Sequence, residues 1–215
     1  MMNYINQTIH YVKKELEGAE AGHDWFHIER VYHNALHLLE TEKADELVVL
    51  LGALLHDIAD SKFHNGDEAI GPERAYEFMT SIGLHEDVKK HVVLIIENIS
   101  FKGGNFERKF HSKELEVVQD ADRLDAIGAI GIARAFQYGG FKNRTIYDPQ
   151  EKPKMNMTRE EYKRHTGNTI NHFYEKLLLL KDLMNTDSGK KIASERHRYM
   201  EGFLQQFFDE WNGIK

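Results

Sequence analysis

One stretch decides the fold of this chain: it reads Leu47-Val48-Val49-Leu50-Leu51-Gly52-Ala53-Leu54-Leu55-His56-Asp57. The apolar run is far too short to span a membrane, and we expect a helix at about Asp45–Asp57. Packing alone does not explain a histidine beside an aspartate at the end of an apolar helix. Because a buried charge is costly unless something pairs with it, the pair predicts a charged partner such as a metal ion.

Two further residues complete a set of the metal-binding type. His27 lies in His27-Ile28-Glu29-Arg30-Val31, and Asp122 lies in Asp120-Ala121-Asp122-Arg123-Leu124-Asp125. Two imidazoles and two carboxylates suit a divalent metal that keeps water in its open positions. His56 and Asp57 point about 100° apart on a regular helix, so both can reach an ion that lies near the helix end. Spacing alone does not bring the other two residues to that place. The alternative interpretation is that His56 caps the helix or is a hydrogen-bonded histidine of the core.

The spacing of leucine, alanine, glutamate and lysine predicts an all-α fold, because no segment shows sustained period-two alternation. We expect a single domain over residues 1–215, a helical bundle of about eight helices. The predicted helices are Asn3–Glu17, Asp24–Glu40, Asp45–Asp57, Asp67–Ile82, Glu86–Asn98, Ser112–Tyr138, Thr158–Met184 and Asp187–Asn212.

Residues of the types that begin and end helices support these bounds. The expected N-caps are Asp24, Ser112 and Thr158, and the expected helix ends are Gly83 and Gly139. Thr158-Arg159-Glu160-Glu161 also has the spacing of a capping box. Residues 100–111 and 139–157 are expected loops. A loop as long as the second is often functional; the alternative is a plain surface connection.

Composition is ordinary for a soluble globular protein: hydrophobic residues make up 41% and charged residues 29% of the chain. The formal net charge of −7 argues against a general nucleic-acid surface, which is normally basic. The chain has no cysteine, so disulfides and thiolate metal sites are excluded. The first residues lack the basic and apolar regions of a signal peptide. We therefore expect a cytoplasmic protein without a membrane segment.

The ordered set of histidines and aspartates resembles that of the HD-domain metal-dependent phosphohydrolases, a family named for its paired histidine and aspartate. The flanking residues are similar as well. The segment His23-Asp24-Trp25-Phe26-His27 looks like the first helix of small bacterial members, and Gln119 to Arg134 looks like their last ligand helix. His172 to Leu177 and Arg196 to Trp211 also look like that group, so the resemblance covers nearly the whole chain.

The resemblance implies one divalent metal ion. Its ligands would be His27, His56, Asp57 and Asp122. Manganese is the expected metal, with magnesium, cobalt, nickel, iron or zinc as alternatives. A second metal with His64, His91 and His111 is less favoured, because these histidines lack matching flanks. A zinc-protease motif is excluded at the histidine pairs 23/27 and 33/37, since Asp24 and Asn34 stand where that motif needs glutamate.

The resemblance also implies roles for residues around the metal. In the family an acidic residue near the position of Asp60 can orient or deprotonate the attacking water, which is the work of a general base. The alternative is that Asp60 is an N-cap or a surface acid. Arg30, Arg123 and Lys176 are the expected contacts to substrate phosphates, unless each of them pairs with a local carboxylate.

The function that the resemblance implies is hydrolysis of a nucleotide or a similar small phosphate ester or anhydride. Release of pyrophosphate from a nucleoside triphosphate is the favoured reaction, and release of phosphate from a monoester is the alternative. Two other interpretations are a noncatalytic nucleotide sensor that keeps the fold and an oxygenase with two irons. The intact ligand set argues against the sensor, and the small number of matched ligands argues against the oxygenase.

Overall fold

The computed structural model describes residues 1–18, 24–59, 69–99, 110–158, 161 and 164–215. The regular elements in these ranges are helices, which confirms the predicted all-α fold. The α-helices are α1 Met2–Glu15, α2 Trp25–Leu39, α3 Glu46–Leu55, α4 Ile70–Ser81, α5 Glu86–Asn98, α6 Lys113–Asp125, α7 Gly128–Phe141, α8 Thr169–Glu175 and α9 Asp187–Trp211, and Leu177–Leu183 forms a 3-10 helix. Within the described residues, each helix is too short or too polar to cross a bilayer.

The chain divides into two compact units, Met1–Asp122 and Arg123–Lys215, and the boundary falls within α6. The first unit has 12 lysines and arginines against 23 aspartates and glutamates, whereas the second has 16 against 12. Their formal net charges are therefore −11 and +4. The single domain expected over residues 1–215 stays a prediction.

Helix α3 is the centre of the first unit. Its N-cap Asp45 accepts a hydrogen bond from Val48 N (3.2 Å), and all the residues of Val48–Leu55 are buried. α3 packs against α1, α2 and α5. Gly52 permits a close approach, since a Cβ added there would lie 3.2 Å from Val118 Cγ2 and 3.3 Å from Ile95 Cγ2. The residues that follow the apolar run are therefore held at a defined place beside the core.

Several of the expected helix ends are confirmed. Asp24 Oδ1 accepts from His27 N at 3.0 Å, and Ser112 Oγ accepts from Leu115 N at 3.0 Å. Gly83 follows the end of α4 with a φ of 76°, in the left-handed region that glycine adopts without strain. The expected helix start at Asp67 and most of the loop 100–111 lie outside the described residues.

The single helix predicted over Ser112–Tyr138 is wrong, because the chain turns between α6 and α7. Gly128, the first residue of α7, has a φ of 76°. This left-handed value does not occur inside a continuous α-helix. The expected helix end at Gly139 is also wrong, since α7 continues to Phe141. A Cβ at Gly139 would lie 2.3 Å from Thr169 Oγ1, so this glycine permits α7 to pack closely against the start of α8.

The single helix predicted over Thr158–Met184 is wrong as well. The capping box is confirmed, because Glu161 N donates to Thr158 Oγ1 (3.2 Å) and Thr158 N donates to Glu161 Oε2 (2.8 Å). Residues 165–168 are then not helical. Asn168 starts α8 afresh by accepting from Asn171 N at 2.9 Å. Helical spacing did not reveal this restart, although Gly167 and Asn168 are residues of the types that end and begin helices.

The second unit is built around α9, which packs against α7 and the 3-10 helix. Its aromatic core contains Phe136, Phe173, Phe203 and Phe207, with ring centroids of neighbouring pairs about 6 Å apart. Three arginines bind groups near the end of α6: Arg134 pairs with Asp125, Arg196 donates to Leu124 O, and Arg123 donates to Leu183 O.

Candidate metal centre

His27 is held by the first turn of α2. Asp24 caps this helix through the backbone N–H of His27 itself, so the cap fixes the residue that carries the imidazole. Its side chain is 3% exposed. The His27 and His56 rings meet edge to face, with centroids 5.4 Å apart and an interplanar angle of 72°. The two histidines predicted from separate helices therefore lie side by side.

His56 directly follows α3, which ends at Leu55, two residues before the predicted helix end at Asp57. Its Nδ1 lies 2.9 Å from Ala53 O, and because a carbonyl oxygen only accepts, Nδ1 carries the proton. In this tautomer Nε2 presents a lone pair. Within the described part of the chain this Nε2 is buried and has no hydrogen-bond partner. A buried acceptor without a donor is costly, and a metal ion satisfies it.

Asp122 approaches both histidines from α6. Its Oδ1 lies 3.6 Å from His27 Nε2 and 3.8 Å from His56 Nε2. His27, His56 and Asp57 each offer one ligand atom, and these three atoms all lie within 4.8 Å of one another. The structure therefore brings together all four residues that the sequence singled out as metal ligands.

The separations fit a shared ion better than they fit direct hydrogen bonds. Nitrogen and oxygen atoms 3.6 and 3.8 Å apart are beyond the usual hydrogen-bond range of about 2.7–3.2 Å. Two ligands that each lie ~2.1 Å from one octahedral ion are ~3 Å apart when adjacent and ~4.2 Å apart when opposite. Asp122 is 37% exposed, whereas the histidines are 3% and 5% exposed, so the cluster opens to solvent on the carboxylate side.

Sequence reasoning missed Asn34, which positions Asp122. Its Nδ2 donates to Ala121 O at 3.0 Å and so ties α2 to the residue next to Asp122. The available signal was its place on α2, since Asn34 lies one helical turn from the buried Val31 and Leu38. A polar residue at the edge of a buried face needs a hydrogen-bond partner, and here the partner is Ala121 of α6, the helix that carries Asp122.

The other predicted site residues are less informative. Asp60 lies outside the described residues. Arg30 and Lys176 are half-buried, and each takes part in an interaction. Arg123 is 9% exposed, and its Nη1 donates a hydrogen bond to Leu183 O. Part of its guanidinium is therefore used in a contact with the backbone. The substrate roles of these three cations stay predictions.

The histidines that the sequence offered as other metal or surface residues have different surroundings. His33 and His37 are exposed, as expected for solvated residues. His91 Nε2 lies 2.9 Å from Ser112 Oγ, and His111 Nδ1 lies 3.5 Å from Glu116 Oε1. His23 and His64 lie outside the described residues.

Comparisons with known proteins agree with this geometry. The HD domain family model matches residues 25–127, a range that contains all four clustered residues. YpgQ of Bacillus subtilis strain 168 is 36% identical over 205 residues, covering 95% of this chain and 92% of YpgQ. A solved structure of YpgQ in complex with ADP superposes with a TM-score of 0.75, at 34% identity over 98% of this chain and 100% of that chain.

A second solved structure is similar to this chain over nearly its whole length. It is that of an HD-superfamily hydrolase from Bacillus thuringiensis, 44% identical, with a TM-score of 0.79 and 98% of each chain covered. These similarities extend well beyond the residues of the metal cluster. The chain therefore belongs to the HD-domain superfamily.

Proposed function

We propose that the protein is a metal-dependent phosphohydrolase that acts on a nucleotide. The observation that carries the proposal is the buried Nε2 of His56. It has no hydrogen-bond partner among the described residues, and it faces Asp122 with His27 beside it. A metal-binding histidine donates from one ring nitrogen and leaves the other as a lone pair, and His56 has this arrangement.

The ligand set would be His27, His56, Asp57 and Asp122 around one divalent ion. Nitrogen and carboxylate ligands together suit a first-row divalent metal, and we place manganese first on the family resemblance. Bound there, the ion would lower the pKa of a water molecule and polarise a phosphoryl oxygen. The chain contributes the fixed geometry, because Asp24, Ala53 O and Asn34 hold the ligand-bearing segments through hydrogen bonds.

A nucleotide is the proposed substrate class. The support is the solved complex of YpgQ with ADP, a relative that this chain matches over nearly its whole length. We favour release of pyrophosphate from a nucleoside triphosphate over release of phosphate from a monoester. Arg30, Arg123 and Lys176 are the proposed phosphate contacts, and Asp60 is the proposed general base.

A nucleotide panel tests the proposal. Nucleoside mono-, di- and triphosphates are incubated with purified protein that has been stripped by chelator and then supplied with manganese or another divalent ion. Pyrophosphate and phosphate are measured separately. We expect pyrophosphate release that chelator abolishes and manganese restores, and His37→Ala, an exposed histidine, serves as the matched control. A protein that binds a nucleotide and leaves it intact with every metal is a sensor, and that outcome overturns the proposal.

A further inference from the structure

The segment that follows α7 forms a pocket with α8 and α9. The volume of this pocket is about 240 Å³, and its apolar walls include Tyr147, Pro153, Ile170, Tyr174 and Phe208. All the lining residues lie in the second unit, so the pocket belongs to that unit alone. Because an engineered cavity of about 150 Å³ holds benzene, this pocket has room for one ring or two fused rings.

Aromatic contacts hold the wall that Tyr147 forms. Its ring meets the ring of Phe208 edge to face, with centroids 5.4 Å apart and an interplanar angle of 77°. It meets the ring of Trp211 in the same way, at 5.0 Å and 84°. On another wall, Pro149 and Pro153 restrict the backbone, since proline fixes φ. An aromatic ligand can therefore make edge-to-face or stacked contacts without first ordering these walls.

Hydrogen bonds tie the segment to α8 at two places. Asn171 Nδ2 donates to Glu151 O at 2.9 Å, and Asn168 Nδ2 donates to Glu151 Oε2 at 3.1 Å. Lys154 N donates to Glu175 Oε1 at 2.9 Å. Asn168, Asn171 and Glu175 are each about 2% exposed or less, so these bonds are shielded from water. The pocket is therefore formed before any ligand binds.

Two phenol hydroxyls give the pocket hydrogen-bonding groups. Within the described part of the chain, neither the Tyr147 hydroxyl nor the Tyr174 hydroxyl has a hydrogen-bond partner. Burial raises the pKa of Tyr174, and the neighbouring Tyr147 raises it further, so Tyr174 keeps its proton at neutral pH. A phenol hydroxyl can donate one hydrogen bond and accept another. A ligand with a polar edge can thus bind to both tyrosines.

The charged groups of the pocket balance each other. Among the lining residues, Glu151 carries a negative charge and Lys152 carries a positive charge. Glu151 Oε2 already accepts a hydrogen bond from Asn168. Lys152 is exposed, where an ion pair contributes little to binding. The pocket therefore favours a neutral ligand over a cation or an anion.

We propose that this pocket binds a small neutral aromatic molecule of one ring or two fused rings. Tyr147, Tyr174 and Phe208 contact its rings, and the two phenol hydroxyls bind its polar edge. The pocket does not share a face of α8 with His172, because residues two apart on a helix point about 160° away from each other. The metal ligands take no part in it, so the inference is independent of the proposed function.

An NMR titration of the full chain after chelator treatment tests the pocket. The probes are indole, tryptamine and indole-3-acetate, which share one fused ring system and are neutral, cationic and anionic. We expect indole to bind with a Kd of about 1 mM or tighter, and more tightly than either charged probe. The ring resonances of Tyr147 and Tyr174 should shift, whereas those of Tyr199, 60% exposed on α9, should not. Unshifted Tyr147 and Tyr174 resonances in excess indole, or tighter binding of a charged probe, overturn the proposal.

Variants measure what the Tyr174 side chain contributes. Tyr174→Ala should weaken indole binding by about tenfold, because it removes both a ring contact and a hydroxyl. Tyr174→Phe keeps the ring and should weaken binding by about threefold, the effect of one hydrogen bond. Tyr199→Ala should bind like the wild-type protein.

Two results from the variants would overturn the pocket. One is equal indole affinity in the wild-type protein and both Tyr174 variants. The other is loss of indole binding in His56→Ala, which would assign the ligand to the metal cluster. If Tyr174→Ala does not fold, Tyr174→Phe and the resonances of the wild-type protein decide the question.

Discussion

The two units of this chain place histidine in opposite surroundings. In the first unit, His56 Nε2 is buried 3.8 Å from a carboxylate oxygen of Asp122. In the second unit, His172 lies among Lys176, Arg144 and His165, and its pKa is lowered to about 3. A histidine nitrogen beside a carboxylate is suited to a metal cation, whereas burial and the positive charges beside His172 oppose a further positive charge there.

The difference shows that the residue type alone does not define a histidine site. Net charge follows the same division, at −11 for the first unit and +4 for the second. Separate variants can test the histidine site of each unit.

The largest effect is expected from the acidic half. His56→Ala or Asp57→Ala removes one of the proposed ligands, so purified protein should lose most of its divalent ion, which elemental analysis measures. Turnover in the nucleotide panel should fall by roughly 10³-fold or more, since the ion is worth several kcal/mol of transition-state stabilisation. The exposed His37→Ala should change neither quantity. Wild-type metal content in both ligand variants would disprove the assignment.

A general base should affect turnover without affecting the metal. Asp60→Asn is expected to keep its metal and its circular dichroism spectrum and to lose about 10²–10⁴-fold in rate. Asp87→Asn, at an exposed acid on α5, is the matched control. Unchanged turnover in Asp60→Asn would mean that the base is elsewhere or that the metal centre needs none.

The pH dependence of stability tests the surroundings of His172 in the second unit. Because the folded pKa of His172 is about 3 and its ordinary value is 6.5, the unfolded chain binds a proton in this window that the folded chain does not. The stability contributed by neutral His172 is thus present above pH 6.5 and is lost as the pH falls toward 3. The free energy of unfolding should drop by up to ~1.4 kcal/mol per pH unit between these values.

Trp211 makes this measurement local to the second unit. In a Trp25→Phe background it is the only remaining tryptophan, since the chain has 2. Urea titrations followed by its fluorescence should show the slope with pH, and His172→Gln should remove most of it. His37→Gln, at an exposed histidine, should keep it. An equal slope in all three proteins would contradict the lowered pKa.

The success of sequence reasoning also differs between the units. In the first unit, one periodic pattern per helix predicted the described α1, α2, α3 and α5 to within a few residues. The residue types and the family resemblance identified the four residues that the structure brings together. In the second unit, helical spacing continued across Gly128 and across Asn168, where the chain in fact turns and restarts.

Tertiary contacts fix the two breaks that helical spacing missed. Gly128 lies against Arg196 of α9, and Asn168 donates to Glu151 at 3.1 Å. Such partners are distant in sequence, so a local pattern does not reveal them.

The smallest predicted effect tests the break between α6 and α7 directly. In one continuous helix, Gly131→Ala would stabilise the protein by up to ~1 kcal/mol, because alanine is the better helix former. In the observed structure an added Cβ would lie 2.2 Å from Ala126 O, a backbone atom that does not move freely. We therefore expect Gly131→Ala to destabilise the second unit by ~1–3 kcal/mol, the usual cost of overpacking.

The matched control is Gly140→Ala, a glycine of the same helix with nothing within 4 Å of an added Cβ. It should be neutral or stabilising by the helix-propensity term that Gly131→Ala does not realise. The same tryptophan-monitored urea titration measures both variants, so their difference removes effects on the unfolded chain that the two substitutions share. If both variants were stabilised alike, α6 and α7 would form one helix, and the turn at Gly128 would be wrong.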